Sequence, residues 1–250
     1  MTLFHKTILY VLLIPNLSLA AALHAADEVF LREDFETLDA WEPLYFRGID
    51  RHTDYAIQRQ DGSNVLVARS SGSASAMIHK QAFNVAEFPT LRWRWKVDNV
   101  YDKGTYRLKS GDDYPIRVYV LFAYDPDTAG FGMKIKYELA KALYGRYPPH
   151  SSVNYIWTSR PEETDPVASP FTDRSIMIPL RHGPQHVGRW VEETVNVLED
   201  FKRIFGGHPP AKASIAIMND SDNTGESATS YIQFIEVLKR APGGEDARQE

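Results

Sequence analysis

The segment Asn219-Asp220-Ser221-Asp222-Asn223-Thr224-Gly225-Glu226 follows an apolar stretch and concentrates hard oxygen donors in what reads as a turn. Calcium takes about six to eight such oxygens, from carboxylates, amides and carbonyls. Asp220 and Asp222 are the metal-ligand candidates and Asn223 a supporting donor, so calcium is the one cofactor this pattern admits, and none is required. An EF-hand is excluded, because the twelfth position counted from Asp220 is Tyr231, where that loop needs a bidentate Glu. The same residues suit a site for sugar hydroxyls. They also suit a structural loop in which Asp and Asn side chains bond their own backbone.

A second constellation is Asp112-Asp113, preceded by Gly111 and followed by Arg117 and Tyr119 on alternate positions of a strand-like run. Glycoside hydrolysis needs two carboxylates, but neighbours in an extended chain point apart, so the second would have to be Asp220 or Asp222. A polysaccharide lyase would instead neutralise a uronate with Arg117 and move the proton with Tyr119, helped by His79. Without catalysis, Asp112, Asp113, Arg117, Tyr119, Asp220, Asp222 and Asn223 make a ligand-binding groove. Trp41, Tyr45 and Trp157 lie near turns and are the rings best placed to stack on a sugar, whereas Trp93 and Trp95 belong to a core. His182-Gly183-Pro184-Gln185-His186 spaces two imidazoles four apart, but Gly-Pro forbids the helix that would align them, so it reads as a turn. No nucleotide loop, serine nucleophile elbow, zinc-hydrolase helix motif or dinucleotide fingerprint is present.

The elements that must position these groups are mostly strands. Alternating or β-branched runs at residues 28–35, 55–59, 64–69, 75–83, 90–97, 116–124, 154–157, 175–179, 190–197, 214–218 and 231–239 are separated by turn residues. About eleven strands with few helices predict a mainly β protein, a two-sheet, jelly-roll-like β-sandwich with one or two short helices. Those helices fall at residues 131–144 and 198–205, the second ended by Gly206-Gly207. Residues 159–171 read as a long surface loop. In Leu91-Arg92-Trp93-Arg94-Trp95-Lys96-Val97 the odd positions are apolar and the even ones cationic; in residues 116–122 the even positions are apolar. Arg92, Arg94, Lys96, Arg117 and Tyr119 therefore lie on polar faces, and they form one patch if the two strands are neighbours.

The first 26 residues carry Lys6, an apolar run over residues 8–14 and a small-residue exit ending in Ala20-Ala21-Ala22, the layout of a secretory signal peptide. The run is shorter than the ~20 apolar residues a membrane span needs. The expected organisation is a signal peptide at 1–26, a single β-sandwich domain at 27–240 and a disordered tail at 241–250, with a periplasmic or secreted location and no span after cleavage. Of the 250 residues, 43% are hydrophobic and 24% charged, which suits a folded globular protein. The net charge of −5 argues against general affinity for nucleic acid or an anionic membrane, though not against a local basic patch. The lack of cysteine removes disulfides, thiolate metal sites and a cysteine nucleophile.

Taken together, Leu91 to Val97, Asp112-Asp113-Tyr114-Pro115-Ile116-Arg117-Val118-Tyr119-Val120, Tyr155-Ile156-Trp157 and Ile217 to Gly225 resemble a family of exported bacterial proteins catalogued as a domain of unknown function, DUF3047. The resemblance runs from about Phe35 to about Leu238 and implies one periplasmic β-rich domain; it supplies no activity. More loosely, Glu33-Asp34-Phe35 with Trp41 is similar to the opening of jelly-roll modules that bind carbohydrate. The leading expectation is a protein that binds a glycan or another cell-envelope component without catalysis. The alternatives are a polysaccharide lyase or glycoside hydrolase using the same polar groove, and a structural or assembly protein of the envelope.

Overall fold

The computed structural model describes residues 28–127, 129–144 and 147–239. The expected signal peptide and tail lie outside them. In chain order the elements are β1 (Glu28–Glu33), β2 (Trp41–Leu44), β3 (Asp54–Gln60), β4 (Ser63–Ser71), β5 (Ala74–His79), β6 (Phe83–Asn84), β7 (Thr90–Val97), β8 (Arg117–Phe122), α1 (Phe131–Tyr144), β9 (Ser151–Thr158), β10 (Val167–Ser169), β11 (Thr172–His182), β12 (Val191–Asn196), α2 (Val197–Phe205), β13 (Lys212–Asp220) and β14 (Ser227–Lys239). They build two sheets. One has six strands in the order β12-β7-β14-β4-β3, with β1 also on β14; the other has eight in the order β10-β11-β9-β8-β13-β5-β2, with β6 on β13. All pairs are antiparallel except β9 with β11.

The period-two patterns explain which side chains meet between the sheets. Leu91, Trp93, Trp95 and Val97 of β7 turn inward, as do Ile232, Ile235 and Val237 of β14, against Val118, Val120 and Phe122 of β8, Val153, Tyr155 and Trp157 of β9, and Ile215 and Ile217 of β13. Rings bridge the layers: Trp93 lies 5.4 Å from Tyr155, and Trp95 lies 5.8 Å from Trp157. Burying indole N–H groups requires acceptors. Trp95 Nε1 donates to Glu193 at 3.0 Å, and Arg181 holds that carboxylate from the other side at 2.7 Å. Helix α2 begins where Asn196 caps Glu199 N, and it places Phe201 against Phe122 at 4.6 Å across one end of the core.

Every run expected to form a strand does so, and both helices lie where the sequence puts them. Three details differ. Strands β7 and β8 belong to opposite sheets, so their polar faces point away from each other and cannot form one patch. Arg92 instead pairs with buried Glu236 at 2.6 Å, while Arg94 and Lys96 lie over the Trp190 ring at 5.5 and 5.1 Å. Trp41 and Trp157 are buried in the core cluster and present no stacking face, because both are strand residues on the inward side, Trp157 in alternation with Val153 and Tyr155. Residues 159–171 are more than a surface loop, since they contain β10 and the fully buried Glu163, which accepts from Thr105 Oγ1 and Tyr106 N.

Truncating a bridging indole removes the largest inter-sheet contact together with a buried donor. Trp95→Ala should lower unfolding free energy by about 3–5 kcal/mol, whereas Arg94→Ala on the outer face of the same strand should change it by about 0.5 kcal/mol or less. Urea titration followed by fluorescence distinguishes the two.

Candidate functional site

The outer face of the eight-stranded sheet is divided into a roofed end and an open end. At the roofed end Arg117 of β8 meets Asp220 of β13, a diagonal neighbour in register, since Arg117 stands opposite Met218. Arg117 Nε donates to Asp220 Oδ1 at 3.0 Å, its Nη2 donates to Asp220 Oδ2, and the same Nη2 donates to the Asp112 carbonyl at 3.1 Å. The guanidinium carbon lies 4.5 Å above the Tyr114 ring. All three charged side chains are almost fully buried. The roof is the segment from Tyr101 to Ile116, held down by Tyr106, Tyr114, Ile156 and Met177, with the Tyr114 hydroxyl 3.1 Å from Met177 Sδ.

Asp113 performs a second closure. Its Oδ1 accepts from Asn223 N at 3.3 Å and Asn223 Nδ2 at 3.0 Å, and its Oδ2 accepts from Thr224 N at 2.6 Å. One carboxylate thus organises the turn between β13 and β14. Gly225 completes the turn at φ +71°, a left-handed conformation that favours glycine. Asp113, Asp220 and Asp222 can each bring an oxygen within 4.8 Å of the others, as a cation shell would require. The oxygens of Asp113 and Asp220 also accept N–H groups, and the Arg117 guanidinium supplies a positive charge beside them. Burial raises the carboxyl of Asp112 above its ordinary range, in spite of nearby Arg117, and its Oδ1 has no hydrogen-bond partner among the described residues. Asp222 is also raised, by burial and then by the charge of Asp113.

The open end is a cleft of about 390 Å³. Its floor follows from the pairing register, in which Tyr119, Ala216 and Ile78 form one cross-strand row and Leu121 with Ser214 the next. Small residues at Ala76 and Ala216 leave depth between larger neighbours. Leu44 and Phe46 form one wall; Tyr124, Tyr147, Pro148 and Pro149, from the two shoulders of α1, form the other. Tyr124 is held rigid by stacking on Tyr137 at 3.7 Å.

Of the residues singled out from sequence, Asp112, Asp113, Arg117, Asp220 and Asn223 are brought together as a connected polar network with Asp222 at its edge, and Tyr119 alone lines the cleft. His79 does not join it: its neighbours on β5 show that it faces inward, edge-on to Trp41 at 5.0 Å, on the opposite side of the sheet from Tyr119. The cleft residues Phe46, Tyr124, Tyr147 and Ala216 carry no motif. Their one legible signal is the alternation of small outward residues, Ser214 and Ala216, in β13.

A family model described as "Protein of unknown function (DUF3047)" matches residues 39–236, from the approach to β2 to most of β14. The chain belongs to this family. No relative matches among curated proteins. Solved structures similar to this DUF3047 chain include the family 11 carbohydrate-binding module from Clostridium thermocellum, with 9% identity, TM-score 0.40, and coverage of 85% of this chain and 96% of the module. The CBM22-1 xylan-binding domain from Paenibacillus barcinonensis Xyn10C gives 11% identity, TM-score 0.35, and coverage of 86% and 97%. The enzymatically active domain of bacteriophage CBA120 tailspike protein 4 gives 9% identity and TM-score 0.38; it covers 82% of this chain, which spans 20% of that domain's length. No residue of the DUF3047 site is assigned from these likenesses.

The buried network makes two stability predictions. Asp220→Ala strands a buried guanidinium and should cost about 3–5 kcal/mol in urea unfolding. Asp112 behaves oppositely. Because its folded pKa is raised, the native state retains a proton that the unfolded state releases, and stability falls as pH rises through the raised pKa. Asp112→Asn should therefore melt above the parent near neutral pH, and the gap should close as pH falls below the ordinary carboxylate range. Melting curves of both proteins from about pH 3 to about pH 8 test the sign.

Proposed function

We propose that this protein binds a component of the cell envelope, a carbohydrate or another ligand presenting an apolar face, in the open cleft of the eight-stranded sheet, and does not transform it. The carrying observation is the cleft itself, with Phe46, Tyr119, Tyr124 and Tyr147 arranged around a floor of small and aliphatic residues. Its 390 Å³ falls within the roughly 300–1,000 Å³ of small-ligand sites. The C–H faces of a sugar ring pack against aromatic rings, while Ser214 at the lining offers a hydroxyl to its polar edge.

Binding is favoured over turnover by how the acid and base candidates are engaged. Asp113 and Asp220 are occupied by N–H donors beneath the roof, away from the cleft lining. Burial raises the pKa of Tyr119 in spite of nearby Arg117, which disfavours the phenolate a lyase base would use. The reading includes a periplasmic or secreted location, on the strength of the signal-peptide pattern that the sequence carries over residues 1–26.

Thermal melting against a panel of glycans and uronates, with product analysis, tests this reading. A hundredfold excess of a true ligand over its dissociation constant stabilises the native state by ~2.7 kcal/mol. Tyr119→Ala should weaken that ligand at least tenfold and Tyr119→Phe far less, as a ring contact requires. Equal shifts in the parent and Tyr119→Ala would remove the ligand from the cleft, and shortened or unsaturated products would replace binding with catalysis.

A further inference from the structure

Helix α1 buries one side and leaves an apolar stripe on the other. Tyr137 is buried, stacks on Tyr124 and donates to the Pro149 carbonyl at 3.0 Å, anchoring the helix to the sheet. Phe131, Ile135 and Leu139 stand four apart, and are 81%, 49% and 62% exposed. At about 100° per residue, Ile135 lies about 200° round the helix from Tyr137, so the stripe faces directly away from the body of the protein. Exposing three large apolar side chains in line on a structured helix calls for a partner, because single exposed residues are ordinary but a continuous stripe is not.

The charges on the same helix indicate the partner's chemistry. Lys134 and Lys136 sit about 100° to either side of Ile135, both exposed and without an ion-pair partner among the described residues. Lys141 lies over the Tyr147 ring at 4.4 Å on the Lys134 side. Glu138, the one acid of the helix, accepts from the Tyr147 hydroxyl. An apolar stripe bordered by lysines on both flanks fits an interface whose interior is apolar and whose surface is anionic: the rings and aliphatic groups enter the acyl boundary, and the lysines reach the phosphates. A second copy of the chain fits less well, since a two-fold pairing of the stripes would set lysines against lysines.

We propose that α1 is a peripheral docking element for an anionic lipid surface, with Phe131, Ile135 and Leu139 inserted and Lys134 and Lys136 on the headgroups. Its shoulders form one wall of the cleft, so docking brings the cleft to the lipid interface. No helix among the described residues is long and apolar enough to cross a membrane; an amphipathic helix of this kind would lie in the interface plane.

The test uses protein purified after expression of the full chain and co-sedimented with vesicles of phosphatidylethanolamine and phosphatidylglycerol, or of phosphatidylcholine alone. The parent should bind the anionic vesicles and release them at high salt. Ile135→Ser with Leu139→Ser should weaken binding at least tenfold, and Lys134→Gln with Lys136→Gln by roughly fivefold per lysine. All four positions are exposed, so melting temperatures should stay at the parent value and report that each variant is folded. A parent that ignores vesicles, or binds neutral ones equally, overturns the proposal, as does binding that both double variants retain. Sedimentation analysis covers the rival: a parent dimer that Ile135→Ser dissociates, with no vesicle binding, assigns the stripe to self-association.

Discussion

A guanidinium buried beneath a loop and paired with a carboxylate from the adjacent strand is the constraint on which one end of this sandwich depends. Removing both charges from water costs several kcal/mol per ion, and the cost is offset only when nearly every proton and lone pair finds a partner. Arg117 meets that demand with Asp220, the Asp112 carbonyl and the Tyr114 ring. The partners come from two stretches of chain, the roof segment and β13, so satisfying one side chain fixes the roof and the β8–β13 register together. A slip of one residue in that register would turn Asp220 into the core, with no donor to meet it.

The roof and the cleft are consequences of one geometry applied to two halves of a face. Where the outward side chains are charged, the chain folds back to cover them and Asp113 secures the following turn. Where they are small or aromatic, the face stays open and α1 borders it. Tyr119 sits at the join, two residues from Arg117 on the same face of β8, with the guanidinium carbon 5.9 Å from its ring.

Local periodicity made much of this architecture readable. The alternation in residues 91–97 identified both the strand and its inward tryptophans, and the helix of residues 131–144 followed from its spacing. Sheet membership was not readable, because pairing is set by contacts between distant residues; β7 and β8 have similar patterns and lie in opposite layers. The polar motifs show a related ambiguity. Asp and Arg in loops have the same composition whether they await a ligand or satisfy each other, and only the fold reveals that Asp113 caps a backbone turn while Asp112 and Asp220 surround one arginine. Apart from Tyr119 the cleft was silent in sequence, since its lining comes from five separate segments, and a small residue such as Ala216 records depth only beside its neighbours on adjacent strands.

Strand β14, residues Ser227–Lys239, pairs with β1, β4 and β7 and so occupies the middle of the six-stranded sheet. A ribosome delivers those residues after every strand they must join. Until they arrive, β4 and β7 have an empty position between them and the tryptophans of β7 lack a completed layer to shelter them. Closure of the sheet therefore waits until β14 has been made, and the strands that precede it stay short of their native pairing until then.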